Sequence, residues 1–176
     1  GIVKDLSTGD GKDPQYLIVA PEALISEALK LRNYRQDAKR LMPLATSVIR
    51  VEDIYREWSG GRLSPEAIRN ALRYALNHWG ANNGQGRLHY VLLYGDGHYD
   101  YRDIVNSASS TPKPNHVPPF NWDEYDGGNP MSSDDFYAML GSSGDWTTGL
   151  LDIAVGRLSI ETLDDARNYL DKITAY

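Results

Sequence analysis

The stretch HYVLLYGDGHYDY, residues 89–101, contains the strongest fold signal in this 176-residue chain. Its first six residues form a continuous run of strand-forming side chains, which is typical of a strand buried on both faces. The seven that follow include two glycines, two aspartates and a histidine. In α/β proteins, ligands bind beyond the carboxyl ends of the strands. The turn at 95–101 is therefore a candidate for an active site, a metal site or a structural turn.

The rest of the chain alternates strand and helix signals. Four further apolar runs are strand candidates: 16–20, 47–51, 136–140 and 150–155. Four segments have helical spacing or helix-start residues: 24–42, 53–58, 65–79 and 162–173. Ser26, Ser64 and Thr162 are candidate helix caps. This alternation predicts a three-layer α/β fold, with a mostly parallel sheet and helices on both faces.

The chain divides into a lead-in segment and one domain. Residues 1–14 are polar and glycine-rich, without any periodicity, and residues 15–176 form the domain. Within that domain, residues 102–133 contain five prolines and predict a long loop. A loop of that length in a compact domain is usually functional or disordered. The chain begins at Gly1 and carries no signal peptide, so we expect a piece of a longer protein.

Composition limits the kinds of partner and chemistry. The net charge of −6 argues against nucleic acid or an anionic membrane as partner. No apolar run approaches the roughly 20 residues of a membrane span. Because the chain has no cysteine, it can form no disulfide, thiolate zinc site or cysteine nucleophile of its own.

Acidic residues are concentrated between positions 96 and 152, with ten acids against two bases. The simplest interpretation is a solvated acidic loop. The alternative is a site for a hard cation such as calcium, which needs several oxygen ligands. Asp96 follows a buried strand, Asp152 lies in another strand candidate, and Asp145 lies in a glycine-rich loop at 141–149. The competing role for these carboxylates is to cap turns and helix ends.

Other chemistries have little support in the sequence. The nucleotide-binding patterns GxGxxG and GxxxxGK[ST] and the serine-hydrolase pattern GxSxG are all absent. All four histidines are best interpreted as structural. A weaker hypothesis is a free-standing hydrolase in which Asp100 orients His98 as a base.

Six segments, in this order, resemble the gingipain-type cysteine peptidase domain: 16–20, 51–61, 65–69, 91–101, 133–137 and 151–158. The resemblance implies a caspase-like domain built from two α/β subdomains, of which this chain is the first. In that family the catalytic histidine and cysteine lie in the second subdomain. This chain alone is therefore expected to be inactive, with the second subdomain as its partner and a protein or peptide as the substrate.

The resemblance is closest to the sortase of the type IX secretion system and its relatives. It implies an exported protein, located outside the cell, on its surface or in the periplasm. It also implies structural calcium, with Asp96 and Asp152 as ligands and Asp145 as a less certain third. Asp134 and Asp135, in the 133–137 segment, are further candidate site residues. His98 and Asp100 would fasten the long loop. The alternative is a degenerate peptidase-like module that binds proteins at the cell surface.

Overall fold

The computed structural model describes residues 2–11, 13–80, 88–100, 115–122, 131–141 and 149–175. The strands are β1 (Tyr16–Ala20), β2 (Thr46–Arg50), β3 (Tyr90–Tyr94), β4 (Phe120–Trp122), β5 (Met131–Ser133) and β6 (Ala154–Leu158). The α-helices are α1 (Ile25–Gln36), α2 (Val51–Ser59), α3 (Pro65–His78) and α4 (Leu163–Thr174). Short 3-10 turns span Gly9–Gly11, Glu22–Leu24 and Asp135–Tyr137.

The main sheet has four parallel strands in the order β2-β1-β3-β6. β1 lies inside it, and all five of its residues are buried. β4 and β5 form a separate antiparallel pair. The predicted α/β fold with a mostly parallel sheet is therefore confirmed.

The two faces of the sheet have separate cores, because side chains alternate along a strand. Leu17 and Val19 of β1 pack with residues of α2 and α3. Ile18 and Ala20 pack with residues of α1 and α4. A layer of helices thus covers each face, as the sequence predicts.

Two helix starts follow the predicted capping chemistry. The Ser64 side chain accepts a hydrogen bond from the Ala67 amide, with Pro65 at the first helical position. Thr162 and Asp165 form a capping box at the start of α4. The predicted cap at Ser26 is wrong, because Leu24 occupies the cap position of α1 and makes no side-chain cap bond.

The helix predicted over 24–42 ends at Gln36, because Asp37 has extended backbone angles. Leu41 is 99% exposed, so the apolar residues after the helix are not part of a buried face. The strand predicted at 136–140 is instead a 3-10 turn. The strand predicted from residue 150 begins at Ala154, which leaves Asp152 before the strand. The predicted long loop also contains the short strands β4 and β5.

The lead-in segment packs against the domain. Ile2 forms a parallel bridge with Val48 of β2, and the Val3 amide donates to the Val48 carbonyl at 2.8 Å. Val3 is fully buried. The Trp79 indole donates to the Leu6 carbonyl at 2.8 Å. No helix among the described residues is long and apolar enough to span a membrane.

Tyr94, at the end of β3, makes the fold sensitive to alkali. Burial, with a smaller contribution from the Glu27 carboxylate, raises the pKa of its phenol from 10.0 to about 12. The unfolded phenol therefore ionises at lower pH than the folded one, and the unfolded state binds fewer protons in between. We predict that the unfolding free energy falls as the pH rises from about 10 through 12.

Chemical denaturation at stepped pH measures this loss. Burial also raises the pKa of Tyr55 and Tyr137, so part of the loss should remain in Tyr94→Phe. The variant should nevertheless lose less stability than the parent over this pH interval. An identical pH dependence in the two proteins would contradict the assignment to Tyr94.

Candidate functional site

The turn after β3 is fixed through its backbone. The Gly95 amide donates to the Leu158 carbonyl at 3.0 Å, and the Asp96 amide donates to the Ile160 carbonyl at 2.9 Å. The Asp96 carbonyl accepts from the Val117 amide at 3.1 Å. Both backbone groups of Asp96 are thus bonded, which holds its Cα in place at the carboxyl end of the sheet.

Glycine is required at both positions that flank Asp96. Gly95 has a φ of +152°, and a Cβ there would lie 2.7 Å from the Cβ of His116. A Cβ on Gly97 would lie 2.3 Å from the Val117 carbonyl oxygen. The segment around Val117 therefore approaches the turn more closely than a side chain would allow.

Arg157 of β6 joins this turn to two other segments. Its Nη1 donates to the Gly95 carbonyl at 2.8 Å and to the Val117 carbonyl at 2.7 Å. Its Nε and Nη2 donate to the two carboxylate oxygens of Asp134 at 2.8 and 2.7 Å. The Arg157 side chain is only 14% exposed. A largely buried, bidentate arginine–carboxylate pair combines strong hydrogen bonds with a fixed orientation.

Aromatic packing holds the segments that carry Val117 and Asp134. The rings of Phe120 and Phe136 stack with centroids 3.7 Å apart. The Tyr137 hydroxyl donates to the Pro118 carbonyl at 2.5 Å, and burial is the main cause that raises the pKa of Tyr137. This side of the site is therefore built from the core on the α2 and α3 face of the sheet.

The described residues line an open surface depression of about 330 Å³ at the carboxyl end of the sheet. Its polar lining includes Asp96, His98, Ser132, Asp134, Arg157 and Ser159. Arg157 neutralises Asp134, whereas no described residue forms an ion pair with the Asp96 carboxylate. The formal charges leave one net negative charge, which favours cations and hydrogen-bond donors over phosphate.

The candidate residues His98, Asp100 and Asp135 have different surroundings. The His98 backbone is tied to Asn115, whose side-chain amide donates to the His98 carbonyl at 3.1 Å. No hydrogen bond or ion pair joins the His98 ring to the Asp100 carboxylate in the part of the chain described. The Asp135 amide donates to Ser133 Oγ at 3.1 Å as the 3-10 turn begins. The geometry therefore offers no support for His98 and Asp100 as a catalytic pair.

His116 fastens the same region from the other side. Its Nε2 lies 2.9 Å from the Glu161 carbonyl, and it must be the donor because a carbonyl oxygen can only accept. This contact links the Val117 segment to the residues before α4. A hydrogen bond of this kind agrees with the structural role predicted for His116.

Asp152 lies at the other end of the sheet, just before β6. Its amide donates to the Ala138 carbonyl at 2.9 Å, and its Oδ2 accepts from the Leu140 amide at 2.6 Å. Arg69 of α3 donates to the Met139 carbonyl at 2.9 Å in the same segment. Asp152 therefore caps the 138–140 backbone, which is the turn-capping role considered from sequence.

Asp96 and Asp152 cannot share one ion. Asp96 follows β3 and Asp152 precedes β6, and the two strands are parallel with Tyr90 opposite Ala154 and Tyr94 opposite Leu158. The paired residues alone separate the two ends by about 13 Å at ~3.3 Å per residue. Two calcium ligands lie within about 5 Å of each other. The prediction of a joint site is therefore wrong for this pair.

Asp145, the third predicted ligand, lies outside the described residues. Within the described ranges, no group of three or more His, Cys, Asp or Glu residues is placed to hold a metal ion. Sequence reasoning did not pair Arg157 with Asp134, although both lie in segments that resemble the family. The available signal was an arginine inside an apolar strand, because such a residue needs an acidic partner.

Comparison with known proteins decides the family. The family model described as Peptidase family C25 matches residues 10–176. The chain belongs to peptidase family C25. This confirms the gingipain-type resemblance seen in the sequence.

This C25 chain is also similar to solved structures. "Crystal structure of dimeric latent PorU from Porphyromonas gingivalis" matches with a TM-score of 0.73 and 25% identity, covering 93% of this chain and 15% of that one. "Structure of Protease" matches with a TM-score of 0.55 and 13% identity, covering 100% of this chain and 29% of that one. At that identity, the second match supports the fold alone. No curated protein sequence matches significantly. This C25 chain thus spans a small part of both solved chains.

The Arg157–Asp134 pair can be tested by removing its fork geometry while keeping the charge. Lysine cannot bond both Asp134 oxygens and the two carbonyls together. We predict that Arg157→Lys lowers the unfolding free energy by about 2 kcal/mol, since charge-assisted hydrogen bonds in a largely buried place are lost. Urea denaturation measures the change.

Arg56→Lys is the matched control. Arg56 pairs with Asp53 one helical turn away on α2, and its side chain is 74% exposed, so lysine can keep this pair. Exposed pairs of this kind contribute little, so a change within about 0.5 kcal/mol is expected. Equal effects of the two substitutions would contradict the role given to Arg157.

Proposed function

We propose that this chain is the non-catalytic first subdomain of an exported gingipain-type cysteine endopeptidase. The observation that carries the proposal is membership of peptidase family C25 over residues 10–176 in a chain that contains no cysteine. A cysteine peptidase needs a thiolate nucleophile. The catalytic histidine and cysteine are therefore proposed to come from polypeptide outside this chain.

The geometry at the carboxyl end of the sheet favours a structural, non-catalytic role. Its depression contains one histidine, His98, but the described residues provide no nucleophile hydrogen-bonded to it. Instead, Arg157 and Asp134 use their side chains to hold backbone segments together. Such a surface can form the floor or wall of a substrate cleft whose catalytic groups come from a second subdomain.

The proposed partners follow from the family. They are the second peptidase subdomain and a protein or peptide substrate, with sortase-like processing of secreted proteins as the more specific form of the activity. The proposed location is extracellular, on the cell surface or in the periplasm. The alternative is a degenerate module that binds proteins at the cell surface, which the lack of cysteine fits equally well.

A proteolysis assay separates the two functions. We predict that the longer protein containing this chain cleaves a denatured protein substrate, and that a thiol-alkylating reagent abolishes the cleavage. The 176-residue chain alone should be inactive. Cleavage that continues after alkylation would reject the cysteine peptidase proposal. Absence of cleavage by the intact and correctly processed protein would reject it as well. Absence of cleavage together with tight protein binding would favour the module.

We also propose structural calcium, now confined to the amino end of the sheet. A Cβ on Gly141 would lie 3.9 Å from Asp152 Oδ2, so the glycine-rich loop containing Asp145 starts beside this carboxylate. Asp152 Oδ1 accepts no hydrogen bond from a described residue. Asp152, Asp145 and loop carbonyls would then be the oxygen ligands that calcium prefers. Bound calcium would tie the loop to the sheet.

Thermal denaturation with calcium and with chelator tests this site. A ligand that binds only the folded state raises the melting temperature. We predict a rise of a few degrees in the parent protein that is lost in Asp152→Asn and kept in Asp96→Asn. If only Asp96→Asn lost the calcium-dependent rise in melting temperature, the result would place the ion at the carboxyl end of the sheet instead. No shift in the parent would reject calcium binding.

A further inference from the structure

The loop between α1 and β2 has an apolar tip, formed by Leu41, Met42 and Pro43. These three consecutive residues are all exposed, with exposed fractions of 99% for Leu41 and 69% for Met42. Single exposed apolar residues are normal at a protein surface, whereas a contiguous exposed group of them often marks an interaction site. The apolar tip is therefore a candidate contact surface.

Backbone hydrogen bonds close the loop below the apolar tip. The Leu44 amide donates to the Arg35 carbonyl at 2.9 Å, and the Arg40 amide donates to the Asp37 carbonyl at 3.0 Å. The Lys39 amide donates to Asp37 Oδ1 at 2.9 Å. Leu44 then packs against the core on the α1 and α4 face of the sheet. These contacts hold the tip away from that core.

Three basic residues next to the tip, Arg35, Lys39 and Arg40, form a basic rim. The guanidinium carbons of Arg35 and Arg40 lie 5.3 and 4.1 Å from the centroids of tyrosine rings. Such cation–π contacts orient a guanidinium but leave its formal charge in place. In the part of the chain that the structure describes, no acidic residue forms an ion pair with the basic rim. Its charge is therefore available to a partner.

The charge around the tip is opposite to the charge of the whole chain. Residues 30–42 contain five bases and one acid, a formal charge of +4, within a chain whose net charge is −6. Exposed charges more than about 8–10 Å apart are largely screened at physiological ionic strength. The net charge argues against an anionic membrane as partner, but at this loop the local positive charge dominates.

We propose that this loop binds the surface of an anionic lipid bilayer. Leu41 and Met42 enter the boundary between headgroups and acyl chains, and the basic rim contacts the anionic headgroups. Burial of apolar side chains together with attraction between basic residues and anionic lipids is the chemistry of peripheral membrane binding. The tip is convex, which suits a fluid surface that yields around it, whereas a folded protein partner would need a matching pocket.

The position of the loop is compatible with the candidate functional site. The loop leads into Thr46 at the start of β2, so it lies at the amino end of the parallel sheet. The depression lined by Asp96 and Arg157 lies at the carboxyl end. A molecule bound to a bilayer through the tip would keep this depression open to solution. The inference does not depend on the proposed peptidase function, because it follows from the loop alone.

Co-sedimentation with lipid vesicles tests the proposal. The 176-residue chain should bind vesicles of equal parts phosphatidylcholine and phosphatidylglycerol, bind pure phosphatidylcholine far less, and bind more weakly as salt is added. Leu41→Ser should weaken binding at least about fivefold, because an inserted apolar side chain is lost. Leu150→Ser is the matched control, since Leu150 is 90% exposed outside the loop. It should bind like the parent.

Charge variants test the basic rim in the same assay. Lys39→Gln should weaken binding to anionic vesicles about fivefold, the factor expected for one basic residue near such a surface. Arg56→Gln is the control, because Arg56 lies outside the loop and already pairs with Asp53. It should change binding by less than about twofold. Circular dichroism checks that all variants are folded.

A fluorescent label supplies a second readout, because the chain has no cysteine and Leu41→Cys provides a single attachment site. A polarity-sensitive label at position 41 should shift to shorter wavelength on anionic vesicles, whereas the same label on Leu150→Cys should not. Absence of vesicle binding would overturn the proposal, as would binding that Leu41→Ser leaves unchanged. Binding by this chain that is lost in the longer protein containing it would also overturn the proposal, and would indicate that other polypeptide covers the loop.

Discussion

The hydrogen bonds of the Arg157 guanidinium are the constraint on which the carboxyl end of this molecule depends. Arg157 lies on β6, yet its donors reach the turn after β3, the segment at Val117 and the carboxylate of Asp134. A guanidinium can serve three segments at once because its five N–H donors lie in one rigid plane. The glycines at 95 and 97 then let the Val117 segment approach closely.

The parallel register of β3 and β6 gives the acidic residues separate roles. An acid that follows one strand and an acid that precedes a parallel neighbouring strand both look like strand-end residues in the sequence. In the folded sheet they lie at opposite ends. Asp134 is therefore the ion-pair partner that orders the carboxyl end, and Asp152 caps a turn at the amino end. Asp96 lies with Asp134 in the lining of the depression at the carboxyl end. The acid-rich segment is thus several sites with different functions.

Much of the fold could be predicted from the sequence because its signals are local. The buried strands β1 and β3 are continuous apolar runs, and Ser64-Pro65 and Thr162 with Asp165 define helix starts by short-range hydrogen bonds. The family resemblance also holds along the chain, which belongs to peptidase family C25. Local pattern, capping and family evidence agree in these places.

The remaining features depend on tertiary contacts. The 136–140 run looks like a strand, but Phe136 and Tyr137 are buried as a 3-10 turn against Phe120 and Pro118. The start of β6 is set by pairing with β3, which no local pattern reveals. The Arg157–Asp134 pair joins positions 23 residues apart, so its geometry appears only when the strands are placed. The same placement separates Asp96 from Asp152.

Hydrogen exchange in Arg157→Lys tests the central role of the guanidinium most directly. The amides of Asp96 and Val117 donate within the carboxyl-end cluster, whereas those of β1 lie in the middle of the sheet. If Arg157 orders this cluster, exchange at Asp96 and Val117 should accelerate strongly, whereas the β1 amides should lose only the protection that the fall in global stability explains. Unchanged exchange at Val117, or acceleration by one common factor throughout the domain, would contradict the account.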